Sequence, residues 1–585
     1  MVKKTFSTGQ VSRAFVWLCA LCVVFAVAAG NARAAAPAAF GSKTPVLLTI
    51  DVEGARDIEA LASIDLQVPA TYFIVGRFLR EYPDYARALS LGNTIGAHSY
   101  NHPDLTTLSA EELDDELARD INAHLNVLGR APAWFRAPFL AIDDTVEEAL
   151  ARNGYTYDSS RPERWAGADE LIELPISTAD SFTLASDYDL FVRMELSGDA
   201  VLAWLKKQFD DRHRTGRPLV ILLHPYIVAP HAAVLKEFID YVQSSGGVFV
   251  TADQYAAAAE QTNADRQAIW LTLAHGEIDE QQAADILSRS GFTDVFVMAR
   301  TPEGEVYFGQ DDDRFGPMVA ALKAKGLRVH AWLPVLKNDA LVAAHPDWAM
   351  TGYAGEAIEH WWSPTQPEAR QRFLSVVRQI ETTYPVDGIH LDYVRYPMMN
   401  ADLGEPVIAR FLADRGIAGP LSFDEIMRDH FVVWSDWRAE AIANLVRDVR
   451  EVLSPETILS AALMAEAATD FRAHETYGQE YALLAEHLDI VVPMAYANLK
   501  GKDPSWIDQV RRQTRFRVGR TAVWLGIEGY QEPGHRQLGR SDFAAALARA
   551  RIGSEGISIY AYPFLFGVEE TPWDMPEGSE ALLLQ

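Results

Sequence analysis

Beyond residue 34 this 585-residue chain contains no cysteine, since Cys19 and Cys22 both lie in its first apolar stretch. The remainder can have neither a disulfide framework nor a thiolate metal centre. Its stability must come from core burial, and any metal must be held by imidazole and carboxylate. Basic charge is also scarce. There are 52 Lys and Arg against 81 Asp and Glu, a formal charge of −29. It becomes more negative without residues 1–34, which carry basic groups and no acid. That balance speaks against nucleic acid as a partner. It suits a cationic polymer such as a partly deacetylated glucosamine chain, or serves only solubility. After residue 30 there is no second long hydrophobic run, no P-loop, no short repeat and no low-complexity tract.

What is present begins with a leader. Lys3, Lys4 and Arg13 accompany an apolar run from Ala14 to Gly30, and Ala32-Arg33-Ala34 is a small-x-small site. Residues 1–34 are expected to be a signal peptide, leaving a periplasmic or secreted protein with no stable membrane span. The alternative is a retained anchor, for which a run of about 17 apolar residues is at the short limit. The length calls for two to four domains, and the 49% apolar content allows large cores.

Two rhythms follow. From 44 to 255, apolar runs at Val46–Ile50, Ala70–Val75, Thr94–Ala97, Leu219–Leu223 and Val248–Thr251 read as strands between helix-like stretches. Ser109-Ala-Glu-Glu112 is a capping-box helix start. A small, polar linker is expected over 256–266, or else a last helix with a shorter linker. From 267 to 575, eight strand-like runs alternate with helices: Ile269–Leu273, Asp294–Met298, Arg328–Leu333, Gly388–Asp392, Ile458–Met464, Asp489–Met494, Ala522–Ile527 and Gly556–Tyr562. Eight such units predict a (β/α)8 barrel with its chemistry at the C-terminal strand ends. The polar residues at those ends are Arg300, Trp332, Asp392 with Arg395, Glu466, Tyr496 and Glu528.

In the first half, Gly96-Ala-His98-Ser-Tyr-Asn-His102 offers two imidazoles four residues apart. A helical turn would bring both to one ion. Asp51 and Glu53, two apart at a strand end, can face the same way. One can then bind the metal while the other acts as base for its water. Arg136 could orient that base, and His224, ending an apolar run, is a candidate acid for a leaving amine. In the second half, Asp392 stands where a buried strand emerges, the place where a buried acid is tolerated. Arg395 is close enough in sequence to hold it ionised. A glycosidase needs two carboxyl groups, and Glu466 and Glu528 compete to be the second. Trp332, Trp361 and Trp362 offer faces for sugar rings, or fill the core.

The ordered pieces Thr49-Ile-Asp51-Val-Glu53, Ala70–Gly76, Gly96–His102, Arg136-Ala-Pro-Phe139 and Leu222-Leu-His224 resemble the successive motifs of the polysaccharide deacetylases, the NodB-type carbohydrate esterase family four. The resemblance implies a distorted (β/α) barrel that removes acetyl groups from N-acetylated sugars with a divalent metal, usually Zn2+. Carried over, it implies Asp51 as base, Glu53, His98 and His102 as metal ligands, and Arg136 as the holder of Asp51. It further implies an oxyanion site near Phe139, an acetyl-methyl pocket at Leu222 and His224 as acid. The chain departs from the family in its first motif, where Val52 separates the two acids and the second is Glu. Tyr157-Asp158-Ser-Ser160 is either the counterpart of the family's fourth motif or a turn. Gly326–Leu333, His345–Trp348 and Asp387–Pro397 resemble the family-ten-like glycosyl hydrolase barrels of bacteria. The order of parts is similar to that of periplasmic enzymes that trim poly-β-1,6-N-acetylglucosamine. The expectation is an α/β protein of two barrels, a distorted deacetylase barrel followed by a (β/α)8 barrel, acting on an N-acetylhexosamine polymer that the second barrel binds or cuts. The alternatives are a peptidoglycan or chitin-type deacetylase with a non-catalytic barrel, and a non-catalytic export factor.

Overall fold

Nine consecutive buried residues, Thr44–Val52, form strand β1, as a strand covered on both faces of a parallel sheet requires. The computed structural model describes residues 40–562, apart from 65, 166–169, 181, 262–263, 274–277, 310–312 and 532–535. The expected signal peptide and the end of the expected second barrel lie outside the described residues. Among those described, no helix is long and apolar enough to cross a membrane.

β1 is the centre of an all-parallel sheet. It is joined by β2 (Thr71–Ile74), β3 (Thr94–Ala97), β4 (Trp134–Phe135), β5 (Tyr157–Asp158), β6 (Ile172–Glu173), β7 (Leu219–Leu223) and β8 (Gly247–Phe249). The order is β6-β5-β4-β3-β2-β1-β7, with β8 also on β1. The run after β6 curls this sheet round. The Ile176 N–H donates to Arg161 O, the Ser177 N–H donates to Val220 O on β7, and Ser186 bridges Leu222. β4, β5 and β6 are only two residues long, too short to leave an apolar run in the sequence.

The second half is a closed parallel barrel. Its strands are β9 (Arg266–Leu271), β10 (Asp294–Met298), β11 (Arg328–Pro334), β14 (Gly388–Asp392), β15 (Ile458–Met464), β16 (Ile490–Met494), β17 (Ala522–Glu528) and β20 (Gly556–Tyr560). Two hairpins interrupt the alternation, β12 (Ala349–Thr351) with β13 (Ala357–Trp362), and β18 (Tyr530–Gln531) with β19 (Arg536–Gln537). The molecule is thus α/β with two barrels, as the alternation of apolar runs and helices implied.

The stretch from 256 is not linker at its start. The Thr251–Gln254 capping box begins a helix over Ala252–Ala259. Ala256 and Ala259 are buried in one cluster with Leu47, Phe73, Trp134, Val220 and Tyr255. The alternative of a last helix therefore applies here, its alanines forming helix surface against a core. The cluster also contains Phe516, from the helix Trp506–Val518 of the second barrel, 5.0 Å from the Tyr255 ring centre to centre. Polar contacts surround it. Arg511 Nη2 and Arg512 Nε reach the Glu260 carboxylate at 2.8 and 2.6 Å, Gln513 Nε2 donates to Leu171 O, and Arg520 Nη1 donates to His213 O.

Replacing Phe516 by Ala removes a ring buried to 2% exposure. It is expected to cost about 3–5 kcal/mol, read as a lowered urea midpoint for the first barrel. A loss below ~1 kcal/mol would show that the ring is not part of that core.

Candidate functional site

Val52 turns its side chain into the core beside Tyr72 and Ile74. Its neighbours on either side therefore share the opposite face of the chain at the end of β1. That is how the spaced acids, Asp51 and Glu53, come to serve one site. Asp51 is fixed by Arg136, which is fully buried and emerges from β4. Arg136 Nη1 donates to Asp51 Oδ1 at 2.9 Å, Nη2 donates to Thr49 Oγ1 and Ser159 Oγ, and Nε donates to Ser159 O.

His98 leaves β3 directly into the site. Its Nδ1 is 2.7 Å from Arg136 O. A donor there leaves Nε2 with its lone pair toward the acids. Burial holds the His98 ring toward its neutral form despite nearby Asp51. The second histidine does not arrive by a helical turn, as the four-residue spacing suggested. Ser99 and His102 both take left-handed φ, 57° and 67°. The loop is pinned by Asn101 Nδ2 donating to Glu116 Oε2 at 2.8 Å and the His102 N–H donating to Ser99 Oγ at 3.0 Å. The two rings end 4.9 Å apart between centres. One ligand atom each from Glu53, His98 and His102 lies within 4.8 Å of the others.

His102 Nε2 is buried and makes no hydrogen bond, and it stands 3.4 Å from Glu53 Oε1. Burial raises the Glu53 pKa, but the adjacent His102 ring, and then His224 and His98, outweigh it and bring it to about 2. An ionised carboxylate and two imidazole nitrogens converging in this way fit a divalent cation of the zinc type.

His224 follows β7. Its Nδ1 is 2.8 Å from Asp187 Oδ1, and its N–H donates to Asp187 Oδ2. Burial disfavours the charged ring, yet the hydrogen bond and charge of Asp187, with Asp51 and Glu53 behind, raise its pKa to about 9. Asp187 carries no sequence motif. It is found only through the pairing of Ser186 with Leu222, which sets the loop acid across from the strand-end histidine. Leu222 is buried beneath His224, and Phe139, at φ 59°, packs its exposed ring edge-on to His102 at 4.7 Å. Asp158 caps its own turn, accepting from the Ser160 N–H and hydroxyl.

At the C-terminal end of the second barrel, a cavity of about 490 Å³ is lined by Trp332, Asp392, Arg395, Glu466, Tyr496 and Tyr560, among others. Asp392 accepts from Trp332 Nε1 at 3.0 Å and the Tyr393 N–H at 2.7 Å. Burial raises its pKa above the usual carboxylate value, with those donors and Arg395 only partly opposing. Arg395 makes no ion pair with it. The guanidinium lies over the Trp361, Tyr393 and Tyr477 rings instead.

Glu466 is on the wall but ion-paired to Lys500. Glu528 is not on the wall. It is buried at the end of β17, where Oε1 accepts from the Asn498 and Leu499 N–H groups, and burial pushes it up to about 7. Trp361 and Trp362, read as sugar-facing, sit on the hairpin strand β13. Both are buried, and Trp362 Nε1 donates to Val335 O. Glu303, on the loop after β10, lines the cavity and had no signal beyond its position after a strand.

Residues 42–157 match the family model Polysaccharide deacetylase, and residues 302–507 match the model "Putative glycosyl hydrolase domain". The peptidoglycan deacetylase of Helicobacter pylori is 27% identical over 94 residues, 16% of this chain and 32% of that protein. Chitin deacetylase 1 of Saccharomyces cerevisiae is 36% identical over 110 residues, 18% of this chain and 36% of that protein. The chain spans about a third of the length of the curated relatives it matches. The glycoside hydrolase domain of PgaB (BpsB) from Bordetella bronchiseptica is similar at 17% identity and a TM-score of 0.45, over 51% of this chain and 94% of that one. The chain carries a polysaccharide deacetylase domain of carbohydrate esterase family four, followed by a domain of glycosyl hydrolase type.

Proposed function

We propose that the protein is an exported, metal-dependent N-deacetylase of an N-acetylhexosamine polymer, and that its second barrel binds and hydrolyses that polymer. The observation that carries the first part is the Glu53–His98–His102 cluster between Asp51, held by Arg136, and His224, held by Asp187. The leader-like residues 1–34 support export to the periplasm or beyond. The relatives named for peptidoglycan and chitin support an N-acetylated sugar substrate.

A divalent cation, Zn2+ by donor type, held by Glu53, His98 and His102 would supply an activated water and polarise the amide carbonyl. Asp51, oriented by Arg136, takes the proton of the attacking water. His224 carries its proton below about pH 9 and delivers it to the departing amine nitrogen. The backbone at Phe139 is read as the donor to the developing oxyanion, and Leu222 as the wall that receives the acetyl methyl. In the barrel, Asp392 is held uncharged longer than an exposed acid and serves as proton donor, with Glu466 as the second carboxyl. The Lys500–Glu466 ion pair favours a second reading, in which the barrel only binds the chain.

Three outcomes test this. Zinc content by mass spectrometry should fall at least tenfold in His98→Ala, together with acetate release from N-acetylglucosamine oligomers, because loss of one of three ligands opens the site. Retained zinc and activity would remove His98 from the centre. Asp187→Asn should lower the His224 pKa, so the alkaline limb of kcat/KM moves down by about one to two pH units, with activity at pH 6 less affected. An unmoved limb would assign the alkaline fall to another group. Asp392→Asn should abolish chain scission, seen as product length by mass spectrometry, and leave acetate release unchanged. Normal scission in this variant would end its catalytic role, and absence of scission in the wild type would select the binding reading.

A further inference from the structure

The two histidines of the cluster are held in different ways. His98 Nδ1 lies 2.7 Å from Arg136 O, the usual means by which a ligating imidazole is fixed from its far nitrogen. The His102 ring has no such partner among the described residues, and its Nε2 is buried without a hydrogen bond. The ring is therefore placed by its own backbone. That backbone has an unfavoured form, since Ser99 and His102 both take left-handed φ in spite of their Cβ atoms. Such a turn persists where its surroundings hold it.

Contacts along the loop do so. The Gly76 N–H donates to Ser99 O at 2.9 Å, and the Arg77 N–H donates to Tyr100 O at 3.0 Å. These fix the first half. The second half rests on one side chain. Glu116, from the helix Ala110–Leu128, accepts from the Asn101 N–H with Oε1 and from Asn101 Nδ2 with Oε2, the latter at 2.8 Å. Both carboxylate oxygens thus serve the residue next to His102. Glu116 is 5% exposed, and among the described residues no Lys, Arg or His is ion-paired to it. Burying an acid without a cation is costly, and the helix does not need it for docking. Leu113 and Leu117 already seat the helix in one cluster with Ala97 and Leu105, on either side of the loop. Packing of the helix gives no reason for a carboxylate there, whereas the loop does.

We propose that Glu116 is a positioning residue of the metal centre: through Asn101 it sets where the His102 ring stands, as Arg136 O does for His98. The inference rests on the reading of Glu53, His98 and His102 as metal ligands. Glutamine at 116 keeps the shape but has one acceptor oxygen and one NH2 group, so it cannot receive both Asn101 donors. Asn101→Asp alone sets two carboxylates face to face. Combined, the two substitutions restore both bonds with the side-chain polarity reversed, because Asn101→Asp supplies the acceptor that the new amide needs.

The test measures zinc affinity of the full chain by chelator competition for wild type, Glu116→Gln, Asn101→Asp and the two combined. Each single variant should lose about tenfold in affinity. The combined variant should recover to within about threefold of wild type. Hydrogen exchange, read by mass spectrometry in EDTA, should speed up at residues 99–103 of the single variants and not along the helix Ala110–Leu128. Unchanged affinity in Glu116→Gln, or a combined variant as weak as the single ones, overturns the proposal. So does exchange that speeds up equally along the helix, which would show that Glu116 serves the fold. Should Glu116→Gln fail to fold, Asn101→Ala, at an exposed residue, removes the side-chain half of the contact and should show the same loss and the same local exchange. If wild type binds no zinc, the metal reading falls, and the exchange comparison in EDTA still decides whether Glu116 holds the loop.

Discussion

One buried guanidinium ties the first site together. Arg136 has no exposed surface, and its donors reach β1 through Asp51 and Thr49 and the end of β5 through Ser159. Its own carbonyl faces His98. The strand that carries Asp51, the strand that leads into His98 and the end of β5 are thereby fixed to one residue. A charge this deep persists only when fully paired, so the sheet's curl and the site's geometry stand or fall together. Arg suits this place because its rigid fork of donors serves β1 and the end of β5 at once, which a lysine could not do.

Glu53 and the acids at the mouth of the second barrel are held in opposite ways. In the first site, the neighbouring histidines outweigh burial and hold Glu53 at about 2. In the second, burial dominates, raising Asp392 and carrying Glu528 to about 7. Acids kept ionised suit metal binding and proton acceptance, and acids kept protonated suit proton donation. The contrast follows from where basic residues were placed in a chain that has few of them.

What was legible in the sequence follows the length of the apolar runs. The β3, β7, β10, β14 and β15 runs have the same bounds in sequence and structure. The two-residue strands β4 to β6 left no run to read, and of them only β4 and β5 adjoin residues of the quoted motifs, Arg136 and Asp158. The pairing of His98 with His102 was legible as proximity and misread as a helix, because left-handed residues such as Ser99 and His102 have no propensity signature outside glycine. Asp187 and Glu303 were invisible because both sit on loops whose place depends on distant pairing. Trp361 and Trp362 follow the core-filling alternative, and the sequence could not choose it for a different reason. Period and composition cannot tell an inserted hairpin from the rim of a barrel strand.

The core beneath β1 acquires its last side chain, Phe516, from a helix far along the chain. On a ribosome this imposes an order in time. Tyr255, against which that ring packs, is made about 260 residues earlier, roughly 13–50 s at ordinary bacterial rates of synthesis. For that interval the first barrel has all its own strands and an open apolar patch, and it must be shielded by another agent or remain unfinished. Closure of this core is therefore tied to synthesis of the second barrel's helix Trp506–Val518.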